Sequence, residues 1–269
     1  MTNERASNTR FEVSAVLFFC AATALLIALE WKMAGVGAWL ISAVLLRWTS
    51  PTFRSRLGLL LGCIGLLAFA PINTDRSTLH FLHLGAFFAV AVIVPAIVMH
   101  VWHPGTVDWR FWPRRFQWIE VFYVGLSIPL AWGIIHWYFF DVNPYMPEQW
   151  PMPDTITQDA KWRLIIGINA VGIWDELFFI NTVYAILRSI LPRHFANWAQ
   201  AVVYTSVLYN MAFIGVGPIL VFIFALTQGA MYERSKCLFY VLIVHLIVDA
   251  FLVAFILKYY YGESGIVGF

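Results

Sequence analysis

The sequence is dominated by apolar runs that are each about as long as a membrane is thick. Of its 269 residues, 61% are hydrophobic and only 12% are charged, whereas a soluble domain has roughly 25% charged residues. The runs are roughly 16–25 residues long, and about 20 apolar residues in a helix cross a hydrocarbon core. Their apolar residues are continuous rather than alternating, which favours helices over barrel strands. The chain is therefore predicted to be a polytopic membrane protein without a soluble domain.

Nine segments qualify as predicted spans. The second and third are short and can be interpreted as one broken pair, so a count of eight also stays open. The predicted fold class is an all-α, polytopic transmembrane helix bundle of eight or nine helices. The segments are approximately 12–29, 33–47, 57–72, 81–102, 118–140, 163–188, 197–214, 217–233 and 238–258.

The Lys and Arg residues predict the orientation of the chain. With nine spans and a cytoplasmic N-terminus, twelve of the seventeen lie on the cytoplasmic side, as the positive-inside rule requires. The prediction is an integral, multi-pass protein of the plasma (inner) membrane. The basic residues are interpreted as topology signals at span ends, and the net charge of +2 indicates no nucleic-acid partner.

A Pro-rich, acidic stretch divides the sequence. Residues 141–161 read DVNPYMPEQWPMPDTITQDAK and are predicted to form an outer-face loop, because their prolines exclude a continuous helix. Residues 1–140 have almost nothing ionisable at mid-depth, and they are predicted to be N-terminal transmembrane scaffold helices. Residues 162–260 contain the intramembrane polar groups, and they are predicted to be a C-terminal four-helix core that carries the chemistry.

Two adjacent carboxylates lie inside the sixth span. Asp175 and Glu176, in WDELFFIN, and Asp249 on the last span are the acids placed well inside a span, with no Lys or Arg at their depth. Each costs roughly 2.5–3.5 kcal/mol at a helix centre on insertion scales, so three together indicate a functional site. Because neighbours on a helix are about 100° apart, one of the paired acids is expected to face the site while the other braces a neighbouring helix.

A histidine and an asparagine extend this polar set. His245 and Asp249, in VHLIVDAF, are four residues apart and share one helix face. Asp249 is expected to hold one ring N–H of His245 and to leave the other nitrogen free. Asn210, in SVLYNMAF, is the strong polar group near the middle of the seventh span. A lone intramembrane His or Asn is more often a helix contact, and it is the combination with the acids that favours a site.

The order of these residues resembles the CAAX prenyl protease and bacteriocin-processing (CPBP) family of intramembrane proteases. The first motif of that family is E-E-x-x-x-R, where this chain has Asp175, Glu176 and Ile180. The third motif is H-x-x-x-N/D, which is matched by His245 and Asp249.

Two further stretches bear on the same resemblance, which covers approximately residues 163–256. The run GAMYERSKCL at 229–238 is similar to the family's G-x-x-Y-x-R-T-x-S-L turn. The second motif, F-x-x-x-H, lacks its histidine, and Asn210 falls nearest to its spacing, with Ser206 at the position of the Phe.

The resemblance implies hydrolysis of a peptide bond within the membrane. Asp175 or Glu176 would be the general base that activates water, His245 and Asp249 would stabilise the oxyanion or transfer protons, and Asn210 would supply a hydrogen bond. The implied partners are the lipid bilayer and a transmembrane or lipidated protein substrate. No cofactor is expected, and no metal is expected because the sequence has no HExxH motif.

Two other functions stay open. The missing motif arginine and second histidine favour a catalytically inactive relative that binds a membrane partner as a scaffold. Buried carboxylates without cationic partners are also typical of a small proton-coupled transporter.

Overall fold

The computed structural model describes residues 2–75, 77–143, 152–211 and 215–262, with side chains from residue 9 onward. These residues form nine helices and no strand, so the predicted all-α helical bundle is confirmed. The helices are α1 (Thr2–Thr23, prolonged by the π-helical turn Ala24–Ala28), α2 (Lys32–Leu45, prolonged by the 3₁₀ turn Leu46–Trp48), α3 (Pro51–Leu67), α4 (Thr78–Trp102), α5 (Trp118–Trp137, prolonged by the π-helical turn Tyr138–Val142), α6 (Gln158–Asp175, continued by the π-helical segment Glu176–Tyr184 and the turn Ala185–Arg188), α7 (Arg193–Leu208, prolonged by the 3₁₀ turn Tyr209–Met211), α8 (Gly217–Ser235) and α9 (Phe239–Tyr261).

Hydroxyl side chains set the starts of three helices. Ser50, Ser77 and Thr157 precede α3, α4 and α6, and each side-chain oxygen accepts a hydrogen bond from a backbone N–H of the first turn. Such a cap satisfies one of the amide groups that a helix start leaves open. The helices therefore begin where the polar linkers end.

Five of the nine helices in the described part of the chain are long and apolar enough to cross a bilayer. These helices make the protein an integral, multi-pass membrane protein. These segments are Thr9–Ala28, Thr78–Trp102, Trp118–Val142, Gln158–Arg188 and Phe239–Tyr261.

Helix α6 lies at the centre of the packing. Its π-helical segment is buried except at Leu177, with Phe178, Phe179 and Ile180 fully enclosed. It contacts α4, α7, α8 and α9, and α9 also packs along α5. Residues from α6, α7, α8 and α9 are thereby brought to one point in the interior.

A linker fixes the start of α9. The backbone N–H groups of Leu238 and Phe239 donate to the carbonyls of Arg110 and Phe111 at 2.9 and 3.0 Å. The linker between α4 and α5 is thus pinned to the turn between α8 and α9. Part of the predicted outer-face loop, residues 144–151, lies outside the described residues.

Candidate active site

Glu176 is the centre of a buried hydrogen-bonded cluster. It is the first residue of the π-helical segment and is 0% exposed. Its Oε1 lies 2.7 Å from His245 Nδ1, 3.0 Å from Gln228 Nε2 and 3.2 Å from the hydroxyl of Tyr204. Three helices, α7, α8 and α9, are therefore bonded to one oxygen of α6.

The imidazole of His245 is oriented by Glu176. When Glu176 is ionised its oxygens only accept, so Nδ1 carries the proton of this pair and Nε2 is left facing the other way. Asp249 Oδ1 lies 3.6 Å from Nε2, which is too long for a direct hydrogen bond. Asp249 is thus an ion-pair neighbour of Nε2 rather than its hydrogen-bond acceptor, and the short hydrogen bond of the ring is made by Nδ1 to Glu176 on the facing helix α6.

A cavity of about 680 Å³ is lined by residues of the six helices from α4 to α9. It ends at this cluster. Its wall follows α6 from Asp159 to Asp175 and is mainly apolar. Its polar interior end is formed by Asp175, Tyr204, His245 and Asp249, each at most 5% exposed. Its other end, called the mouth here, is lined by Asn73, Asp75, Thr78, Asp159 and Arg163.

The two adjacent acids have different surroundings. Asp175 lines the cavity, and its Oδ1 is buried with no hydrogen-bond partner among the described residues. Glu176 does not line the cavity and accepts from three neighbours. One acid therefore faces the space and the other braces the helices, as their angular separation on α6 predicts.

Gly172 allows α6 and α9 to come together at the site. A Cβ at this position would collide with Asp249 Oδ2 and would lie 2.9 Å from His245 Nε2. The side chains of His245 and Asp249 are therefore pressed against bare backbone one turn before Asp175. A glycine is required by this close approach.

Asn210 is not brought to the cluster. Its Nδ2 donates to the carbonyl of Ile27, in the π-helical turn of α1, at 2.9 Å, and it is not among the residues that line the cavity. On the same helix, Tyr204 and Leu208 do line the cavity. Placed on this pair, the F-x-x-x-H pattern has an aromatic at Tyr204 and an apolar Leu208 where the histidine would be.

Sequence reasoning missed Tyr204 and Gln228. Both are 0% exposed and bind the carboxylate of Glu176. Gln228 stands as a lone amide in the apolar stretch FALTQGAM, which is a signal that was available. A tyrosine among many aromatics gives no such signal. Among the described residues, no set of three His, Cys, Asp or Glu side chains is grouped as metal ligands.

The comparison with known families agrees with this geometry. Residues 157–251 match the family model described as "Type II CAAX prenyl endopeptidase Rce1-like". No curated protein and no solved structure matches the chain. The matched segment runs from the start of α6 into α9 and includes every residue of the buried cluster. The resemblance predicted from the motifs is thus confirmed over residues 157–251, the part of the chain that is similar to the Rce1-like type II CAAX prenyl endopeptidases.

Proposed function

We propose that the protein is an intramembrane endopeptidase that hydrolyses a peptide bond at the inner end of the cavity. The observation that carries the proposal is the convergence of Asp175, His245 and Asp249 on one cavity, with Glu176 fixing the imidazole from behind at 2.7 Å. The family match over the same residues supports the reaction class.

Asp175 is the general base of the proposed reaction. A base must reach the water from which it takes a proton, and Asp175 borders the cavity with a free oxygen. Glu176 does not border the cavity, so its open Oε2 cannot reach water there, and its Oε1 already accepts three hydrogen bonds. Its role is to position His245.

His245 is the hydrogen-bond donor that stabilises the oxyanion in this scheme. As Asp175 takes a proton from water, the water oxygen bonds to the carbonyl carbon, and Nε2–H of the doubly protonated ring donates to the oxygen that becomes negative. When the intermediate collapses, the C–N bond breaks and the leaving nitrogen takes the proton from Asp175. Asp249, 3.6 Å from Nε2, stabilises the charged ring.

The cavity wall supports an apolar substrate. Leu82, Ile166 and Ile223 line it and are 65%, 60% and 54% exposed, so the wall continues onto the surface that faces lipid. A transmembrane segment or a lipid-modified chain, such as the prenylated peptide that the family is named for, can enter from the bilayer. We also propose the orientation given by the Lys and Arg distribution, with a cytoplasmic N-terminus in the plasma membrane, which places the mouth on the outer side.

The test uses the purified protein in liposomes with a prenylated CaaX peptide that carries a fluorophore and a quencher on opposite sides of the scissile bond. General-base catalysis contributes about 10²–10⁴-fold, so Asp175→Asn is expected to lower kcat by at least about 100-fold. Asp154→Asn, an exposed acid outside the cavity, is the matched control and is expected to cleave at the wild-type rate. Wild-type cleavage by Asp175→Asn would remove this residue from the mechanism.

A second function, an inactive relative that binds the same ligand, is favoured by Leu208 and Ile180. Leu208 puts an apolar side chain on the cavity where the second motif has histidine, and Ile180 is fully buried where the first motif has arginine. This candidate predicts that the wild-type protein binds the prenylated peptide without cleaving it. It also predicts that Leu208→His creates cleavage.

A further inference from the structure

Behind Glu176, on the side away from the cavity, lies a second set of buried polar side chains. We call it the polar column. It consists of Asn181 on α6, Asn197 and Gln200 on α7, and Gln228 and Tyr232 on α8. Asn181, Gln200 and Gln228 are each 0% exposed.

The spacing of these residues produces one polar face on each helix. Glu176 and Asn181 are five apart in the π-helical segment, the hydrogen-bonding interval of that helix. On α7, Asn197 and Gln200 are followed by Tyr204 at intervals of three and four, which share a face. Gln228 and Tyr232 are four apart on α8. The column therefore starts at the cluster around Glu176.

Most members of the column have one bonded atom and one open atom. Asn181 accepts from the hydroxyl of Tyr232 at 2.9 Å, while its Nδ2 has no partner among the described residues. Asn197 donates to the carbonyl of Leu226 at 2.9 Å, while its Oδ1 is open. Gln228 donates to Glu176, while its Oε1 is open. Each of these three side chains is thus held in place by one hydrogen bond, while its other polar atom has no partner in the described residues.

Gln200 has no hydrogen-bond partner among the described residues on either polar atom of its side chain. Neither Nε2 nor Oε1 has a hydrogen-bond partner in the described part of the chain, although the side chain is completely enclosed. Gly229 lets the two amides of α7 come close to the backbone of α8, since a Cβ there would collide with Asn197 Oδ1 and would lie 3.3 Å from Gln200 Oε1. Buried polar atoms in proteins are nearly always hydrogen-bonded to protein or to ordered water.

The column leads towards the protein surface on the side opposite the mouth. One turn beyond Asn181, the hydroxyl of Tyr184 donates to Glu233 at 2.9 Å. Glu233 also binds Arg188 at 3.1 Å and Lys236 at 2.6 Å, and these two side chains are 39% and 53% exposed. A path of polar groups therefore extends from Glu176 to a solvated ion-pair network.

We propose that the polar column binds a file of water molecules that joins Glu176 to this face. Internal waters typically make about three hydrogen bonds to polar groups that otherwise have no partner, and the open atoms of Asn181, Gln200 and Gln228 supply such groups. The water file depends only on these side chains and is present whether or not the cavity cleaves a peptide. If the proposed hydrolysis occurs, the file gives the buried cluster a supply of water and protons that does not pass the bound substrate.

The first test is radiolytic hydroxyl labelling of the full-length protein in detergent, read by mass spectrometry, because radicals made from bound water label the side chains next to it. Tyr232, 6% exposed, is expected to be labelled, whereas Phe88, 1% exposed in the apolar core, is the internal control. Gln200→Leu is expected to reduce the labelling of Tyr232 severalfold. Gln158→Leu, at the exposed start of α6, is expected to leave it unchanged. Labelling of Tyr232 no higher than that of Phe88 overturns the proposal.

A second measurement uses the Tm of the same Gln200→Leu variant. If the column is dry, leucine removes two unsatisfied polar atoms and the Tm rises, which overturns the proposal. If water occupies the column, leucine removes real hydrogen bonds and the Tm stays equal or falls. Neither measurement requires peptidase activity, so a failure of the water file and a failure of the proposed function are separately visible.

Discussion

Buried polar side chains in the N-terminal helices are hydrogen-bonded, whereas many of those in the C-terminal helices have atoms without a partner among the described residues. In α1, α2 and the link from α2 to α3, the hydroxyls of Thr23, Ser42 and Thr49 each donate to a backbone carbonyl at 2.8–2.9 Å. The only buried side-chain atom without a partner in α1–α3, within the described residues, is Nε of Arg56. In the described part of α6–α9, ten such atoms are found.

The difference shows what each set of polar groups is for. A hydroxyl that donates to a backbone carbonyl has no proton left to donate, so it contributes to packing and offers no donor to a ligand. The amides and carboxylates of α6–α9 keep atoms open while their other atoms hold them still. Such atoms need an explanation, and a substrate on the cavity side of Glu176 and water behind it provide one.

The largest effect is expected from adding a side chain at Gly172, where α6 and α9 approach closely. Gly172→Ala puts a methyl group where Asp249 and His245 lie, and such overpacking destabilises by about 3 kcal/mol at the upper end of its range. Displacement of the imidazole by about 1 Å is expected to lower cleavage by about 100-fold. Denaturation in mixed micelles and the peptide assay measure the two effects.

Gly133→Ala is the matched control, because its Cβ would meet nothing within 4 Å. It is expected to unfold and to cleave like the wild type. An equal loss in both variants would mean that the bundle tolerates no added methyl group, and the special role of Gly172 would be lost.

A smaller effect is expected from removing one donor to Glu176. Gln228→Leu deletes bonds to Glu176 Oε1 and to the carbonyl of Val241, at 3.0 and 2.8 Å. Hydrogen bonds to charged groups contribute roughly 1.5–3 kcal/mol, so the free energy of unfolding should fall by about 2 kcal/mol. A variant as stable as the wild type would show that Glu176 does not depend on this amide.

The smallest effect is expected in the N-terminal helices. Ser42→Ala removes a bond between α2 and α1, and interhelical hydrogen bonds in membrane proteins contribute on average about 0.6 kcal/mol. Ser206→Ala is its control, because that hydroxyl donates within its own helix to Val202 at 2.7 Å and its loss should be close to neutral. If Ser42→Ala cost as much as Gln228→Leu, the contrast between the two ends of the chain would fail.

The helices and the acidic pair could be predicted from the sequence for a simple physical reason. Long apolar runs set the helices, and a carboxylate inside such a run is visible because it is costly there. Asp175, Glu176, His245 and Asp249 were all found in this way. The angle between adjacent helix positions also predicted that one acid would face the site and the other would brace a helix, but not which acid has which role.

The partners of these residues could not be predicted. The hydrogen bond from His245 to Glu176 depends on how closely α6 and α9 approach at Gly172, which no local pattern encodes. Asn210 was assigned by spacing alone, but it lies in the 3₁₀ turn at the end of α7 and bonds to Ile27 of α1. The π-helical segment that aligns Glu176 with Asn181 has no recognised sequence signal.

The length of α6 has a consequence for the membrane in which the protein works. Between Arg163 and Arg188 it has 24 residues without Lys or Arg, which would extend about 36 Å at 1.5 Å per residue, whereas a hydrocarbon core is about 30 Å thick. A helix with this excess length tilts or thickens the bilayer around it, at an energy that depends on lipid chain length. Because Asp175 and Glu176 lie near the middle of α6, a change in bilayer thickness alters the slope of the very helix that carries both acids.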